Sequence, residues 1–180
     1  MRFPVLLLAC ASIAFAAVEG VVTNQTTGKP QGGATVTLIE LGSGMKNIGS
    51  VKSSADGKFS FPADMQAGTP YLLQAQYEGV NYNRMLPPGT PGTGVAVEVY
   101  DSASKVNGAE VSQDMFLLEP TGSEMVVSER IVFTNSGKLT YQDPGGTIKF
   151  FVPTGITSPV QVRVQGPQGM PITRPAGLRS

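Results

Sequence analysis

The run Ser54-Ala55-Asp56-Gly57-Lys58-Phe59-Ser60-Phe61 constrains this chain more than any other. Asp-Gly offers the positive φ that a tight hairpin turn needs, and the alternation after it puts Phe59 and Phe61 on one face of a strand. Two rings on one face must be covered, and the surrounding segments read as the strands that cover them. Residues 18–23, 34–40, 48–53, 58–61, 71–77, 80–82 and 95–100 are short, apolar in alternation, and bounded by Gly, Pro and polar clusters. In residues 34–40, Ala34, Val36 and Leu38 fall on one side. No window keeps apolar residues at i, i+3, i+4 and i+7 without Gly or Pro intervening, which predicts no long amphipathic helix. The 22 glycines and 14 prolines make a fifth of the 180 residues, against about 12% in average usage, as a turn-rich protein requires. The fold class expected is all-β: a seven-stranded β-sandwich over residues 17–100, followed by a second, incomplete β domain.

Residues 1–16 read as a secretory signal, with Arg2 as the charged start, an apolar stretch, and Ala14-Phe15-Ala16 as a small-x-small cleavage site. Leu7-Leu8-Ala9-Cys10 also resembles a bacterial lipobox, in which Cys10 would be lipidated. Residues 101–110 are small, polar and aperiodic, and read as a linker. The second β region, 111–166, carries strands at 111–118, 125–134, 147–153 and 160–165, with turns at 119–123, 135–138 and 143–146. The tail, 167–180, holds Pro167, Pro171 and Pro175, which block a regular ladder.

The order Gly28-Lys29-Pro30, Gly33-Ala34-x-Val36-x-Leu38, Asp56-Gly57-x-Phe59-x-Phe61, Gly68 and Tyr71-x-Leu73 resembles the carboxypeptidase regulatory-like domain over residues 18–100. The resemblance implies a seven-stranded transthyretin-like or immunoglobulin-like sandwich; the residues themselves already read as Gly28 and Pro30 setting the first turn, Ala34 allowing close sheet approach, and Asp56-Gly57 making a hairpin. It implies an accessory module and transfers no peptidase activity. The succession of residues 99–102, 116–120 and 150–153 also resembles exported bacterial proteins that pair this module with a second β domain and run on, often to a C-terminal membrane anchor. That likeness implies a truncated or minimal member with an exposed sheet edge.

The chain has no histidine and one cysteine, Cys10, inside the leader. Ser-His and Cys-His nucleophilic catalysis and thiolate or imidazole zinc sites are therefore excluded, as are disulfide staples after export. Thirteen basic residues balance thirteen acidic ones, with no run of like sign, so nucleic acid is not an expected partner. Asp56, Asp64, Asp101, Asp114, Glu119, Glu124 and Asp143 sit mostly at turns, where solvation and Asx geometry account for them. Asn24-Gln25-Thr26 matches a glycosylation sequon and also reads as a polar turn. Tyr77, Tyr82, Tyr100 and Tyr141 are the aromatics available for stacking on a sugar, with Arg84 beside Tyr82 at a rim; tryptophan is absent.

These readings predict a non-catalytic exported protein, periplasmic or extracellular, that acts as a structural or protein-interaction module at the envelope without a cofactor or metal. Its expected partner is an envelope protein or a glycan, with membrane association only through Cys10 or a missing C-terminal anchor. Two alternatives stand beside it: a starch-binding-like carbohydrate module using Tyr77, Tyr82 and Arg84, and a hydrolase using paired carboxylates.

Overall fold

A computed structural model describes residues 18–143, 145, 150–152, 155–156, 159–166 and 172–175. The leader at residues 1–16, with Cys10, lies outside the described residues. Among the described residues every regular element is a strand. The first part holds β1 (Val18–Asn24), β2 (Lys29–Pro30), β3 (Thr35–Glu40), β4 (Lys46–Lys52), β5 (Lys58–Phe61), β6 (Tyr71–Tyr77), β7 (Val80–Leu86) and β8 (Val95–Val99). The second holds β9 (Ser102–Ala103), β10 (Ala109–Thr121), β11 (Glu124–Asn135), β12 (Thr140–Tyr141), β13 (Gln161–Val164) and β14 (Ile172–Pro175).

The first part is a sandwich of two sheets. In one, β1 is central, with β5 and then β2 antiparallel along one edge and β8 parallel along the other. In the other the order is β4-β3-β6-β7, antiparallel throughout. The alternation read from the sequence is what closes it: Val18, Val22, Phe59, Phe61, Val95, Val97 and Val99 face Val36, Leu38, Tyr71, Leu73, Ala75 and Leu86 across a dry interior. The Phe59 and Phe61 rings meet edge to face, centroids 6.1 Å apart at 63°.

The Asp56-Gly57 turn does not close a hairpin. Strand β4 belongs to one sheet and β5 to the other, so residues 53–57 carry the chain across the sandwich. Five residues suffice to cross the roughly 10 Å between layers, where a two-residue hairpin loop would have kept both strands in one sheet. Gly57 takes φ 75°, its N–H donates to the Ser54 carbonyl and its carbonyl accepts from Val22 N–H, each at 2.8 Å. Gly28, at φ 70°, closes the loop after β1 by donating to the Asn24 carbonyl at 2.8 Å. Pro30 pairs with Thr23, and buried Ala34 and Ser53 tie the start of β3 to the end of β4.

At the tip of this crossing, Asp56 accepts from Lys58 Nζ at 2.8 Å and from Ser54 Oγ at 2.6 Å. The Lys58 ammonium and the Ser54 hydroxyl hold its carboxyl below the ordinary 3.8, at about 2. A depressed carboxylate stabilises the fold above its unfolded value and loses that contribution as pH falls from about 4 through about 2. An NMR titration of the Asp56 carboxyl is expected to show a midpoint near that lower value, rising in Lys58→Ala; a wild-type midpoint at the ordinary value would refute the pairing in solution.

In the second part, Ser102–Ala103, inside the segment read as a linker, forms β9 and pairs parallel with β12. The two strands around residues 119–123 are longer than the sequence signals suggest and meet in a two-residue turn, Gly122-Ser123. Residues 135–138 lead not to a hairpin partner of β11 but to β12. Residues 150–152 are in no strand, and the rest of the strand read at 147–153 lies outside the described residues. Strand β13 pairs with β14, with Pro175 opposite Gln161. The ladder thus enters the Pro-rich tail, which tolerates Pro175 because it is the last residue of a strand at the ribbon's edge.

Candidate functional site

Two features of the second part stand out from the bare sandwich: a polar joint at one end of it, and a long arm that the joint holds out.

The joint is organised by Asn24, the last residue of β1, which is only 1% exposed. Its amide nitrogen donates to Asp101 Oδ1 at 2.6 Å and Gln31 Oε1 at 3.0 Å, and its amide oxygen accepts from Thr26 N–H at 2.9 Å. Every polar atom of the side chain is engaged, so Asn24-Gln25-Thr26 acts as an Asx turn and leaves no room for a glycan. The two-residue turn after β6, Glu78-Gly79, has φ 47° and 76°, the double positive φ of a type I′ hairpin. It sets Tyr77 and Tyr82 on the inner face of the sheet, opposite Val80 and Ala75.

Tyr77 donates to Asp101 Oδ1 at 3.1 Å. Desolvation first, then this bond to a carboxylate, push its phenol up to about 12. Tyr82 donates to the Tyr100 carbonyl at 2.8 Å and meets Thr140 Oγ at 2.7 Å, while its ring lies 6.0 Å from that of Tyr100. Glu78 accepts from the N–H and hydroxyl of Ser102 at 2.6 and 3.0 Å. Thr140 N–H then donates to the Asp101 carbonyl at 2.8 Å. The two tyrosine hydroxyls singled out in the sequence are thus brought together, and both are spent fastening residues 100–103 and 140 to the sandwich. Arg84 lies two residues from Tyr82 on the same strand, opposite Leu73, and is exposed. Tyr141 is elsewhere, stacked on Phe133 at 5.9 Å and 29°.

Replacing Tyr82 by phenylalanine removes two hydrogen bonds, roughly 1 kcal/mol each. Exchange of the Thr140 amide is expected to speed up roughly tenfold or more, with the Leu73 amide in the core unchanged; equal protection in both proteins would show that the joint does not depend on the hydroxyl.

The arm is the β10–β11 hairpin, 13 and 12 residues long, about twice the ordinary strand. Gly122 at φ 63° occupies the first position of a type II′ turn. The register places Phe116, Leu118, Pro120, Met125 and Val127 on one face, with Asp114 and Glu129 at their inner end. Burial and the neighbouring Asp114 raise the Glu129 carboxyl. The other face interleaves Met115, Leu117 and Val126 with Glu119, Glu124 and Arg130. Neither face is covered: Phe116, Leu117, Leu118, Met125, Val126 and Val127 are 48–59% exposed. The arm is tied down at its base, where Tyr141 stacks on Phe133 and β9 pairs with β12.

Among the described residues no group of three or more His, Cys, Asp or Glu side chains is placed to hold a metal ion, and no helix is long and apolar enough to cross a membrane. Fold and site together define an all-β protein with a β-sandwich-like pair of sheets that carries an exposed two-stranded arm. No protein-family model matches the chain, and comparison with curated proteins returns no match.

Proposed function

We propose that this chain is a non-catalytic, exported protein of the bacterial envelope with a structural and protein-binding role. In this reading a carboxypeptidase regulatory-like sandwich is the base and the β10–β11 arm makes the contacts. One observation carries it: twelve or more residues of each strand project with large apolar side chains exposed on both faces and, among the described residues, no strand paired to the outer edges. An isolated two-stranded ribbon is marginal in water, and an exposed apolar edge is a template for another strand. Strand addition supplies affinity through the backbone and selectivity through alternate side chains. The leader at residues 1–16 supports export, and the lack of histidine and of any cysteine after Cys10 supports a role without His- or Cys-dependent nucleophilic catalysis.

The test is photo-crosslinking in cells that export the chain, with p-benzoylphenylalanine in place of Phe116 on the arm or of Asn81 on the sandwich. Adducts to protein from the first position and none from the second are expected. An arm that crosslinks to nothing would overturn the reading.

A further inference from the structure

The chain is neutral as a whole but not along its length. Residues 109–135, the arm, hold five acidic residues and one arginine, while residues 136–180 hold five basic residues and one acidic one. The two segments thus carry net charges of −4 and +4, and each exposes large apolar side chains. Phe151 is 92% exposed, and Val164 is exposed on β13.

The free edges match as well. On the arm, the outer edge of β10 carries Pro120, which has no N–H to offer near the tip. Strand β11 has no proline. Its two-residue turn makes Thr121 and Glu124 a hydrogen-bonded pair, so ladder alternation turns the N–H groups of Met125 and Val127 outward. Among the described residues β13 pairs with β14 alone, which leaves its other edge open. Pro175 has no N–H, so Val162 with Arg174 is a hydrogen-bonded pair of the ribbon, and Gln161 and Arg163 turn their N–H groups to the open edge. Laid antiparallel with Arg163 opposite Val127, β13 sets Arg163 diagonal to Glu129 and, on the other face, Val164 opposite Val126. Two ribbons, each marginal alone, become one four-stranded sheet.

We infer that β13 of a second copy adds to the free edge of β11, so that chains join head to tail through arm and C-terminal ribbon. In one chain the arm is exposed along its length, which leaves the edge to another copy. The contact is heterologous, so it propagates into rings or filaments rather than closing as a symmetric dimer. The inference rests on the interaction reading above and names its partner.

Sedimentation velocity on the full chain tests it. Wild type is expected to gain mass with concentration, and to do so less in high salt, because the charges are at the surface. Val127→Pro blocks the arm's edge, and Arg163→Glu with Val162→Asp blocks the ribbon. Each variant alone is expected to stay monomeric at concentrations about tenfold above those at which wild type assembles, with the sandwich melting unchanged. Mixed one to one, they are expected to form a dimer and nothing larger, because each keeps the surface that the other has lost. Glu129→Arg alone is expected to weaken assembly, and Arg163→Glu added in the same chain to restore it. A monomeric wild type, or variants that do not combine, overturns the head-to-tail contact, as does a dimer that both retain. If Phe116 then crosslinks only to other proteins, the interaction reading stands without it; if it crosslinks to nothing, both fall.

Discussion

Gly20→Ala is expected to lower the melting temperature of the sandwich by roughly 15–30 °C, the outcome of about 4 kcal/mol lost from a domain of this size. Gly20 sits in the middle of the first sheet, opposite Phe59 on β5 and Val95 on β8. A Cβ built there would stand 1.8 Å from the Val95 carbonyl oxygen and 2.7 Å from the tip of the Phe59 ring. Neither neighbour can yield cheaply. The carbonyl belongs to the parallel ladder that joins β1 to β8, and the ring is packed edge to face on Phe61. The methyl therefore opens the ladder at its first pair or ejects a ring from the core. Backbone conformation is not the issue, since Gly20 is absent from the glycines of positive φ. A melt of the variant within about 3 °C of wild type would show that the sheet approach is looser than the geometry requires.

Much of the sandwich was legible because one physical signal dominates it. Strands with one dry and one wet face alternate, and Val36 with Leu38, Phe59 with Phe61, and Val95 with Val97 and Val99 alternate with polar or small residues and are buried. What alternation does not carry is which sheet a strand joins. Asp56-Gly57 signals a reversal of the backbone, and both a hairpin and a crossing reverse it; the choice is made by β1, whose free edge takes β5. The joint was half legible. Tyr77 and Tyr82 are legible as aromatics available for stacking on a sugar, but their partners are Asp101, Tyr100 and Thr140, as far as 58 positions away in sequence. Asn24, the hub, had a local mark in the Thr26-Thr27-Gly28 that follows it, a sequence suited to an Asx turn.

The arm was legible as strands and illegible as an arm. Met115-Phe116-Leu117-Leu118 and Met125-Val126-Val127 are consecutive apolar runs, which in a sheet means both faces dry. Read alone, such runs point to a central strand. Flanking Glu119 and Glu124 and a turn of only two residues point instead to a ribbon, which among the described residues has no third strand. The conflict between pattern and environment marks a surface whose cover is missing, and such conflicts gather where function is. The charge split between arm and tail was hidden by the neutral total.

The same deletion in two places separates the two halves of the molecule. Leu38→Ala is expected to cost about 2–5 kcal/mol, and Leu118→Ala less than about 0.5 kcal/mol. Leu38 is 0% exposed and stands between Leu73 on β6 and Gly49 on β4. Gly49 has no side chain to move into the vacated space, and the Phe61 ring already lies against it, 3.8 Å from where a Cβ would be. The cavity therefore stays open, and the cost falls toward the upper part of the range; Leu38→Met, which keeps the volume, is expected to lose less than about 1.5 kcal/mol. Leu73→Ala added to Leu38→Ala should cost less than the sum, because the two side chains are paired across the strands and share the space they leave. Leu118, 55% exposed on the arm, touches no part of that core, so its truncation leaves the melting point where it was and weakens only what the arm holds. Denaturant melts of Leu38→Ala, Leu38→Met, Leu118→Ala, Leu73→Ala and the Leu38→Ala/Leu73→Ala double decide the matter. A Leu118→Ala loss as large as that of Leu38→Ala would mean that the arm is packed in solution, and an additive Leu38→Ala/Leu73→Ala pair would mean that the two leucines do not share a core.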